Sequence, residues 1–448
     1  MVPALSVPGI ILVWRHITNV PQLHFSDNSW PGWAQWRSSL PTIVLIAIIL
    51  RFGFIFIGHT YRLRANDANF SFGWEMGRIG RSLAAGEGFS SPFNESTGPT
   101  AWEPPVYPLL IAVVFKIFGV YSRPSAIVLL IASSSFSALT CIPIFGIAKR
   151  CFSEKVAVGS AWAWALLPNV MHWCTRIVWE TSFSALLLAL IFWLTLWLEE
   201  RDGWKPWAVF GVLWGIVALT NTSLLAFLPA AGLWAWRRRR KLDRRSFGGI
   251  LLASGIFFAC ITPWLVRDYQ TFGQFILIRS NLGEELRLGN GPGADGSWME
   301  YLHPTQNLVE MRRYKDMGEI AYVAVRKQEA LAFIREDYSR FLWLDMKRVV
   351  YFWAGAPRPG HTGMLQSAKD SLFLASSVLA IWGLGRALRK RRPAAWLFLW
   401  VVLLVPAVYY CTFVQARYRH PIEPELLILC VYLIVEARSS SAAGLQVS

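Results

Sequence analysis

One polar stretch of the sequence has acidic and basic residues at a spacing suited to proton transfer and anion binding. Within residues 66–89 (NDANFSFGWEMGRIGRSLAAGEGF), Glu75 precedes Arg78 by three positions, so a helix would present both side chains on one face. The apolar residues recur at the spacings of an amphipathic helix, which Gly86 and Gly88 would end: Phe72, Met76, Ile79 and Leu83. The stretch therefore predicts a carboxylate and a guanidinium side by side on a short helix, although a surface ion pair would have the same spacing.

Two further acids flank this predicted helix. Asp67 lies before it, and Glu103 directly precedes Pro104 and Pro105, which favour an extended chain. An ordinary loop acid would look the same. The sequence therefore places three carboxylates, Glu75, Asp67 and Glu103, on or near the predicted helix.

Arginines at the ends of apolar runs are candidates for binding an anion. Arg267 follows one such run in ITPWLVRDYQTFG, and Arg417, Tyr418 and Arg419 lie in the turn QARYRHPIEPE before the last run. Guanidinium groups at that position suit a lipid phosphate. Arginines that only extend toward lipid headgroups would occupy the same positions, so both interpretations stay open.

Long apolar runs must position these residues. The chain has 448 residues, 54% hydrophobic and 16% charged, and a soluble domain has about a quarter charged residues. Ten runs near the length of a membrane span predict an all-α polytopic membrane protein of about ten spans. These runs are 41–58, 124–148, 155–172, 181–198, 207–220, 222–236, 247–266, 370–387, 394–412 and 422–437.

The formal charge of +16 comes from basic clusters between the runs, at 149–155, 199–205, 237–245 and 386–392. This is the pattern of cytoplasmic loops, and it favours anionic membrane lipids over nucleic acid as partners. All clusters face the cytoplasm if Pro104 to Gly119 lies in the membrane plane instead of crossing. A start outside the membrane is the competing topology, which charge excludes only weakly.

With ten spans the chain divides into five parts. We predict a cytoplasmic segment 1–39, a bundle 40–266 with an outer loop 59–122, an extracytoplasmic region 267–369, C-terminal spans 370–437 and a disordered tail 438–448. Arg51 lies inside the first run, where an arginine costs roughly 2.5–3.5 kcal/mol, so we expect it to face a partner within the bundle.

Four segments in this order resemble a known family. GRIGRSLAAGEGFSSPF, EPPVYPLLIAVVFKIFG, TPWLVRDYQTFG and ARYRHPIEP are similar to segments of the GT-C superfamily, specifically the bacterial relatives of protein O-mannosyltransferases and aminoarabinose transferases. With the order of the spans, the resemblance covers essentially the whole chain. It implies a GT-C helix bundle with in-plane helices in the first outer loop.

The resemblance also implies an activity. Members take a sugar from a polyprenyl-phosphate carrier outside the cytoplasmic membrane and pass it to a lipid, glycan or protein by an inverting displacement. In this family a carboxylate of the first outer loop acts as base, but the usual acid would fall at Phe72. The resemblance therefore assigns the role first to Glu75, with Asp67 and Glu103 as the alternatives. A lysine that often precedes the two prolines is replaced by Glu103. The resemblance therefore assigns substrate binding to the remaining matched residues: Arg267, Arg417, Tyr418, Arg419, Arg78, Arg81 and Tyr107.

Two rival functions stay open. One is a lipid or solute transporter or flippase, although the sequence lacks the repeated halves common in transporters. The other is an inactive relative that only binds lipid carriers. Neither the cysteines nor the histidines have a metal-binding spacing, so we expect no cofactor, although some relatives use a divalent metal. The sequence does not indicate an oligomeric state.

Overall fold

The computed structural model describes residues 39–63, 70–242, 244, 246–356 and 364–445. Within these ranges the chain is helical and contains no β-strand. Asp67 lies outside the described residues, as does all but the last residue of the predicted segment 1–39. The helices of the first half are α1 Leu40–Ile57, α2 Glu75–Ala85, α3 Val106–Phe118, α4 Arg123–Leu139, α5 Cys141–Cys151, α6 Glu154–Leu166, α7 Pro168–Arg176, α8 Thr181–Trp197 and α9 Lys205–Ala218.

The second half has the same character. Its helices are α10 Leu228–Lys241, α11 Phe247–Phe272, α12 Leu282–Gly289, α13 Leu308–Met317, α14 Glu319–Glu336, α15 Tyr338–Ala354, α16 Met364–Arg389, α17 Ala395–Cys411 and α18 Glu423–Leu445. Short 3₁₀ turns connect several of them, at Phe70–Phe72, Thr222–Phe227, Glu300–Leu302 and Ala416–Ile422.

Each of the ten predicted runs is helical, but three are interrupted, and one of these, 222–236, begins as the 3₁₀ turn Thr222–Phe227 before α10. The 124–148 run continues from α4 into α5, and the 155–172 run breaks where Pro168 begins α7, because proline cannot continue the preceding helix. By length and composition, four helical segments of the described chain could each cross a membrane: Leu40–Ile57, Arg123–Cys151, Phe247–Phe272 and Lys369–Arg389. α18 continues to Leu445, past the predicted end of its span.

Helix α8 forms the centre of the bundle. Most of its residues are buried, and it packs against α4, α5, α7, α9, α10 and α18. The predicted partner of Arg51 is also found here. Arg51 is fully buried, and its guanidinium donates to the carbonyls of Ala47, Trp164 and Ala165 and to Ser137 Oγ, each at 3.1 Å. The expectation that Arg51 faces the bundle interior is confirmed.

The predicted amphipathic helix of the first loop is confirmed as α2, which ends at Gly86. It packs against α3, whose inner face buries Ile111 and Phe115. The opposite face of α3 exposes Leu109, Val113 and Ile117.

The region 267–369 folds over the first loop. Phe93 and Trp102 of the loop pack with Met311, Tyr314 and other apolar side chains of the region. The buried Glu319 carboxylate accepts hydrogen bonds from the Ala101 N–H at 2.8 Å and from the Tyr314 hydroxyl at 2.7 Å. It therefore fixes the loop that carries Glu103 to the region above it.

Candidate active site

A cavity of about 340 Å³ lies where the first loop, the 267–369 region and the turns of the bundle meet. Its lining is rich in tryptophan and in charged groups. The acidic and basic residues that line it are Glu75, Glu103, Glu180, Glu285, Arg279, Arg417 and His303. It therefore contains carboxylates, which could accept a proton, and guanidinium groups, which could bind a phosphate.

Glu75 lies in the cavity wall because of a sharp turn before α2. Gly73 has φ +85°, and a Cβ atom there would lie 2.5 Å from the Val178 carbonyl oxygen. Trp74 follows with φ +46°, an uncommon conformation for a residue other than glycine. The turn starts α2 at Glu75, and a carboxylate in the first turn of a helix is stabilised by the helix dipole.

Several groups act on the Glu75 carboxylate. Burial raises its pKa above the ordinary value, and the charges of Arg78 and Arg417 oppose that rise. The Glu285 charge raises it further. Nε2 of His303 lies 3.3 Å from Oε1 of Glu75. The surroundings thus favour a carboxylate that holds a proton more tightly than an exposed one, which suits a general base.

Arg279 lies between two carboxylates. Its Nη2 is 3.4 Å from Glu103 Oε1 and 3.6 Å from Glu285 Oε1. Burial raises the pKa of Glu103 to about 8, although the Arg279 charge acts in the opposite direction. Nε of Arg279 is buried without a hydrogen-bond partner among the described residues. A ligand anion could use that donor.

Arg417 is the second guanidinium of the cavity. It lies over the ring of Trp179, 3.3 Å from the ring centre, and its Nε and Nη1 have no hydrogen-bond partner within the described chain. Oε2 of Glu180, next to Trp179, also lacks one there. A guanidinium that stacks on an indole and keeps unpartnered N–H donors is suited to bind an anion, because stacking fixes the plane of the guanidinium.

The structure brings some predicted site residues together and not others. Glu75, Glu103, Arg417 and Tyr418 line the cavity. The predicted residues that do not line it are Arg78, Arg81, Tyr107, Arg267 and Arg419.

Two of these five residues, Arg267 and Arg419, have their side chains engaged by other groups of the protein. Arg267 donates to the carbonyls of Thr100 and Phe89, at 2.7 and 2.9 Å, and pairs with Asp268. Arg419 is buried, pairs with Glu423 at 2.8 Å, and donates to serine hydroxyls of α16.

Arg78 and Tyr107 also contact protein groups. Arg78 donates to Thr305 Oγ1 and the Pro92 carbonyl, and the Tyr107 hydroxyl lies 3.2 Å from Ser133 Oγ. Arg81 is half-buried. The assignment of these residues to substrate stays a prediction.

Four acidic or basic residues of the cavity were absent from the sequence prediction: Glu180, Arg279, Glu285 and His303. Glu180 lies between two apolar runs, and the other three lie in the 267–369 region, where no motif indicates a chemical role. One signal was available. The resemblance implies that a lysine often stands at the position of Glu103, and in this structure a basic residue, Arg279, lies beside Glu103.

The cavity has no evident metal site. No group of three or more His, Cys, Asp or Glu side chains within the described residues could hold a metal ion. The carboxylates instead face guanidinium groups and an imidazole.

Comparisons with known proteins give the chain a family context. Residues 102–266 match the family described as dolichyl-phosphate-mannose-protein mannosyltransferase. No curated protein matches the chain by sequence.

Solved structures are similar over most of the chain. The apo oligosaccharyltransferase of Archaeoglobus fulgidus is 14% identical with a TM-score of 0.53, over 91% of this chain and 52% of that one. The same organism's AglB in complex with an inhibitory peptide and a dolichol-phosphate is 14% identical with a TM-score of 0.53, over 90% and 50%. ArnT from Cupriavidus metallidurans bound to undecaprenyl phosphate is 12% identical with a TM-score of 0.41, over 92% and 79%.

The chain spans about half the length of the oligosaccharyltransferases that it matches. At 14% identity, the likeness concerns the fold. The helical fold and the match over residues 102–266 agree with the GT-C resemblance that the four sequence motifs indicated.

Proposed function

We propose that the chain is a GT-C glycosyltransferase that transfers a sugar from a polyprenyl-phosphate carrier to an acceptor hydroxyl or amine. The observation that carries the proposal is the cavity that joins the Glu75 carboxylate to two guanidinium groups, Arg279 and Arg417. The matched family is described by a dolichyl-phosphate-linked sugar, and the similar AglB structure contains a dolichol-phosphate. Both support a polyprenyl phosphate as the carrier.

The chemistry divides between the two kinds of group. Glu75 removes the proton from the acceptor as the acceptor atom bonds to the anomeric carbon of the sugar. The bond between that carbon and the phosphate oxygen breaks, and the polyprenyl phosphate leaves with the electron pair. Arg279 and Arg417 then stabilise the charge that develops on the phosphate. Attack from the side opposite the phosphate inverts the anomeric carbon.

The electrostatics of the cavity suit this division. A base must be ionised to accept a proton, and a pKa raised by burial makes the Glu75 carboxylate a stronger base once ionised. Arg417 is stacked on Trp179 and its Nε and Nη1 have no partner among the described residues, so it can bind a phosphate without first breaking a hydrogen bond at either nitrogen. Arg279 is already aligned by Glu103 and Glu285.

The basic clusters at 149–155, 199–205, 237–245 and 386–392 support a location in the cytoplasmic membrane with the cavity on the outer side. Lysine and arginine resist translocation, so these clusters remain in the cytoplasm. Glu103 and Arg417 lie at the other ends of the apolar helices. The acceptor would approach from the 267–369 region, which supplies Trp298 and His303 to the cavity.

Binding of undecaprenyl phosphate to the purified protein tests the proposal without a known acceptor. Ligand binding to the folded state at a hundredfold excess over Kd stabilises by about 2.7 kcal/mol, which thermal unfolding detects. We expect Arg279→Ala and Arg417→Ala each to weaken binding roughly ten- to a hundredfold, because a hydrogen bond to a charged group contributes about 1.5–3 kcal/mol. Arg312→Ala, at an exposed position, is the matched control.

The same titration separates two phosphate sites. Loss of binding in folded Arg267→Ala or Arg419→Ala, with Arg279→Ala unaffected, would move the phosphate to the residues that the sequence resemblance assigned. No stabilisation of the wild-type protein would contradict the transferase. Binding without any transfer of sugar would instead indicate a carrier-binding relative or a flippase.

A further inference from the structure

His303 is held in one protonation form by the chain around it. The backbone N–H of Thr305 donates to Nδ1 of His303 at 3.2 Å, which leaves the proton of the neutral ring on Nε2. The ring is 5% exposed and lies among aromatic side chains, stacked on Trp74 with 5.6 Å between ring centres and 25° between planes. The imidazole therefore presents a fixed N–H donor.

His303 lines the cavity of the proposed active site. Its Nε2 lies 3.3 Å from Oε1 of Glu75, slightly longer than a usual hydrogen bond, and contacts of this kind often tighten when substrate binds. His303 follows the turn Glu300–Leu302, over 200 residues after Glu75 in the chain. The contact joins the region above the cavity to the proposed base.

We propose that His303 is a positioning residue, which holds the Glu75 carboxylate through Nε2–H so that one oxygen is bound and the other faces the acceptor. The inference rests on the proposed function only for the role of Glu75 in transfer. The contact between the two side chains and its effect on the Glu75 proton can be measured without any substrate.

The expected effect has a definite sign. Burial and the Arg78 charge lower the pKa of His303 to about 3, so the ring stays neutral at working pH and does not exchange the proton with Glu75. A donor to a carboxylate favours its ionised form and lowers its pKa. Loss of Nε2–H therefore raises the pKa of Glu75, by about one unit for a typical hydrogen bond to a charged group.

Other charged groups face Glu75 and must stay in place during the test. They are Arg78 on its own helix, Arg417 from the Ala416–Ile422 turn, Glu285 of α12 and Glu103 of the first loop. None of them is altered in His303→Phe, which keeps an aromatic ring beside Trp74 and removes the donor. His303→Gln keeps an N–H that reaches about as far as Nε2.

Infrared titration of the full-length protein in detergent reads the Glu75 proton directly. The protonated-carboxyl band that is missing in Glu75→Gln belongs to Glu75, and its midpoint pH gives the pKa. We expect the midpoint to rise by about one unit in His303→Phe and to stay near the wild-type value in His303→Gln. His303→Leu is the second donor-free variant if the Phe variant does not fold.

Each outcome decides a different point. An unchanged midpoint in the donor-free variants overturns the inference, and an equal rise in His303→Gln assigns the effect to lost packing. If sugar transfer is detected, its acidic limb should move with the infrared midpoint while KM stays unchanged. A shifted midpoint in a protein without transferase activity would leave the His303–Glu75 contact standing and contradict the proposed function alone.

Discussion

Two glycines with the same backbone angle allow a controlled perturbation of the turn before Glu75. Gly73 and Gly86 both have φ +85°, at the two ends of the segment that contains α2. At Gly73 an added Cβ would lie 2.5 Å from the Val178 carbonyl oxygen, whereas at Gly86 nothing lies within 4 Å. Gly73→Ala therefore adds a steric conflict to backbone strain, and Gly86→Ala adds the strain alone.

The expected losses of unfolding free energy follow from these contacts. A side chain in the left-handed region costs about 1–2 kcal/mol, which is the expected loss of unfolding free energy for Gly86→Ala. In Gly73→Ala the turn and Val178 must also separate, since Cβ atoms do not approach an oxygen this closely, and overpacking of this kind costs about 1–3 kcal/mol more. Glu75 is two residues away, so the displacement reaches the proposed base.

Thermal unfolding of both variants in one detergent measures the first effect, and sugar transfer measures the second. We expect Gly73→Ala to melt at the lower temperature and to lose about tenfold in transfer, given that a 1 Å displacement of a catalytic group costs about a hundredfold. Gly86→Ala should keep full transfer. Equal destabilisation of the two variants would refute the steric argument, and equal loss of transfer would refute the link to Glu75.

Three further predictions concern charged side chains. Glu75→Gln should abolish transfer while undecaprenyl phosphate still stabilises the protein in thermal unfolding, because only the base is lost; retained transfer would assign the base elsewhere. Arg267→Lys should lower the melting temperature, since one ammonium cannot replace the two donors to Thr100 and Phe89, and should leave binding of undecaprenyl phosphate intact in the folded protein. The unfolding free energy should fall as the pH rises from about 5 to about 8, because the folded state keeps the Glu103 proton up to a pKa of about 8 and the unfolded state releases it near 4.5. Glu103→Gln should flatten that part of the pH profile. An unchanged profile in this variant would contradict the assignment of the pKa to Glu103.

Local patterns predicted most of the helices and one side of the site. The ten apolar runs are long enough for their length and composition to indicate helices. The spacing of the apolar residues from Phe72 to Leu83 correctly indicated α2. Glu75 was predicted because it lies on that helix, and Arg417 because an arginine at the end of an apolar run is unusual. Such signals depend on neighbours within a few residues.

The other side of the site depends on contacts between distant parts of the chain. Arg279 contacts Glu103 across more than 170 residues, and His303 contacts Glu75 across more than 220. Neither residue has a spacing that signals its partner. Arg267 shows the converse, because its type and position suit a phosphate, yet its donors are engaged by two carbonyls that the fold brings to it.

The buried Arg51 has a consequence for how the protein is made. Its guanidinium binds the carbonyls of Trp164 and Ala165, at the end of α6 where Pro168 prevents the helix from continuing, so the break leaves acceptors that Arg51 uses. These partners are synthesised 113 and 114 residues after Arg51. At about 5–20 residues per second, α1 waits roughly 6–23 s in the membrane before these two carbonyls are made. Until then Arg51 has only the Ala47 carbonyl and, 86 residues later in the chain, the Ser137 hydroxyl as partners. During that interval the helix is poorly soluble in lipid, so its release from the insertion machinery should be delayed until the hairpin containing α6 arrives.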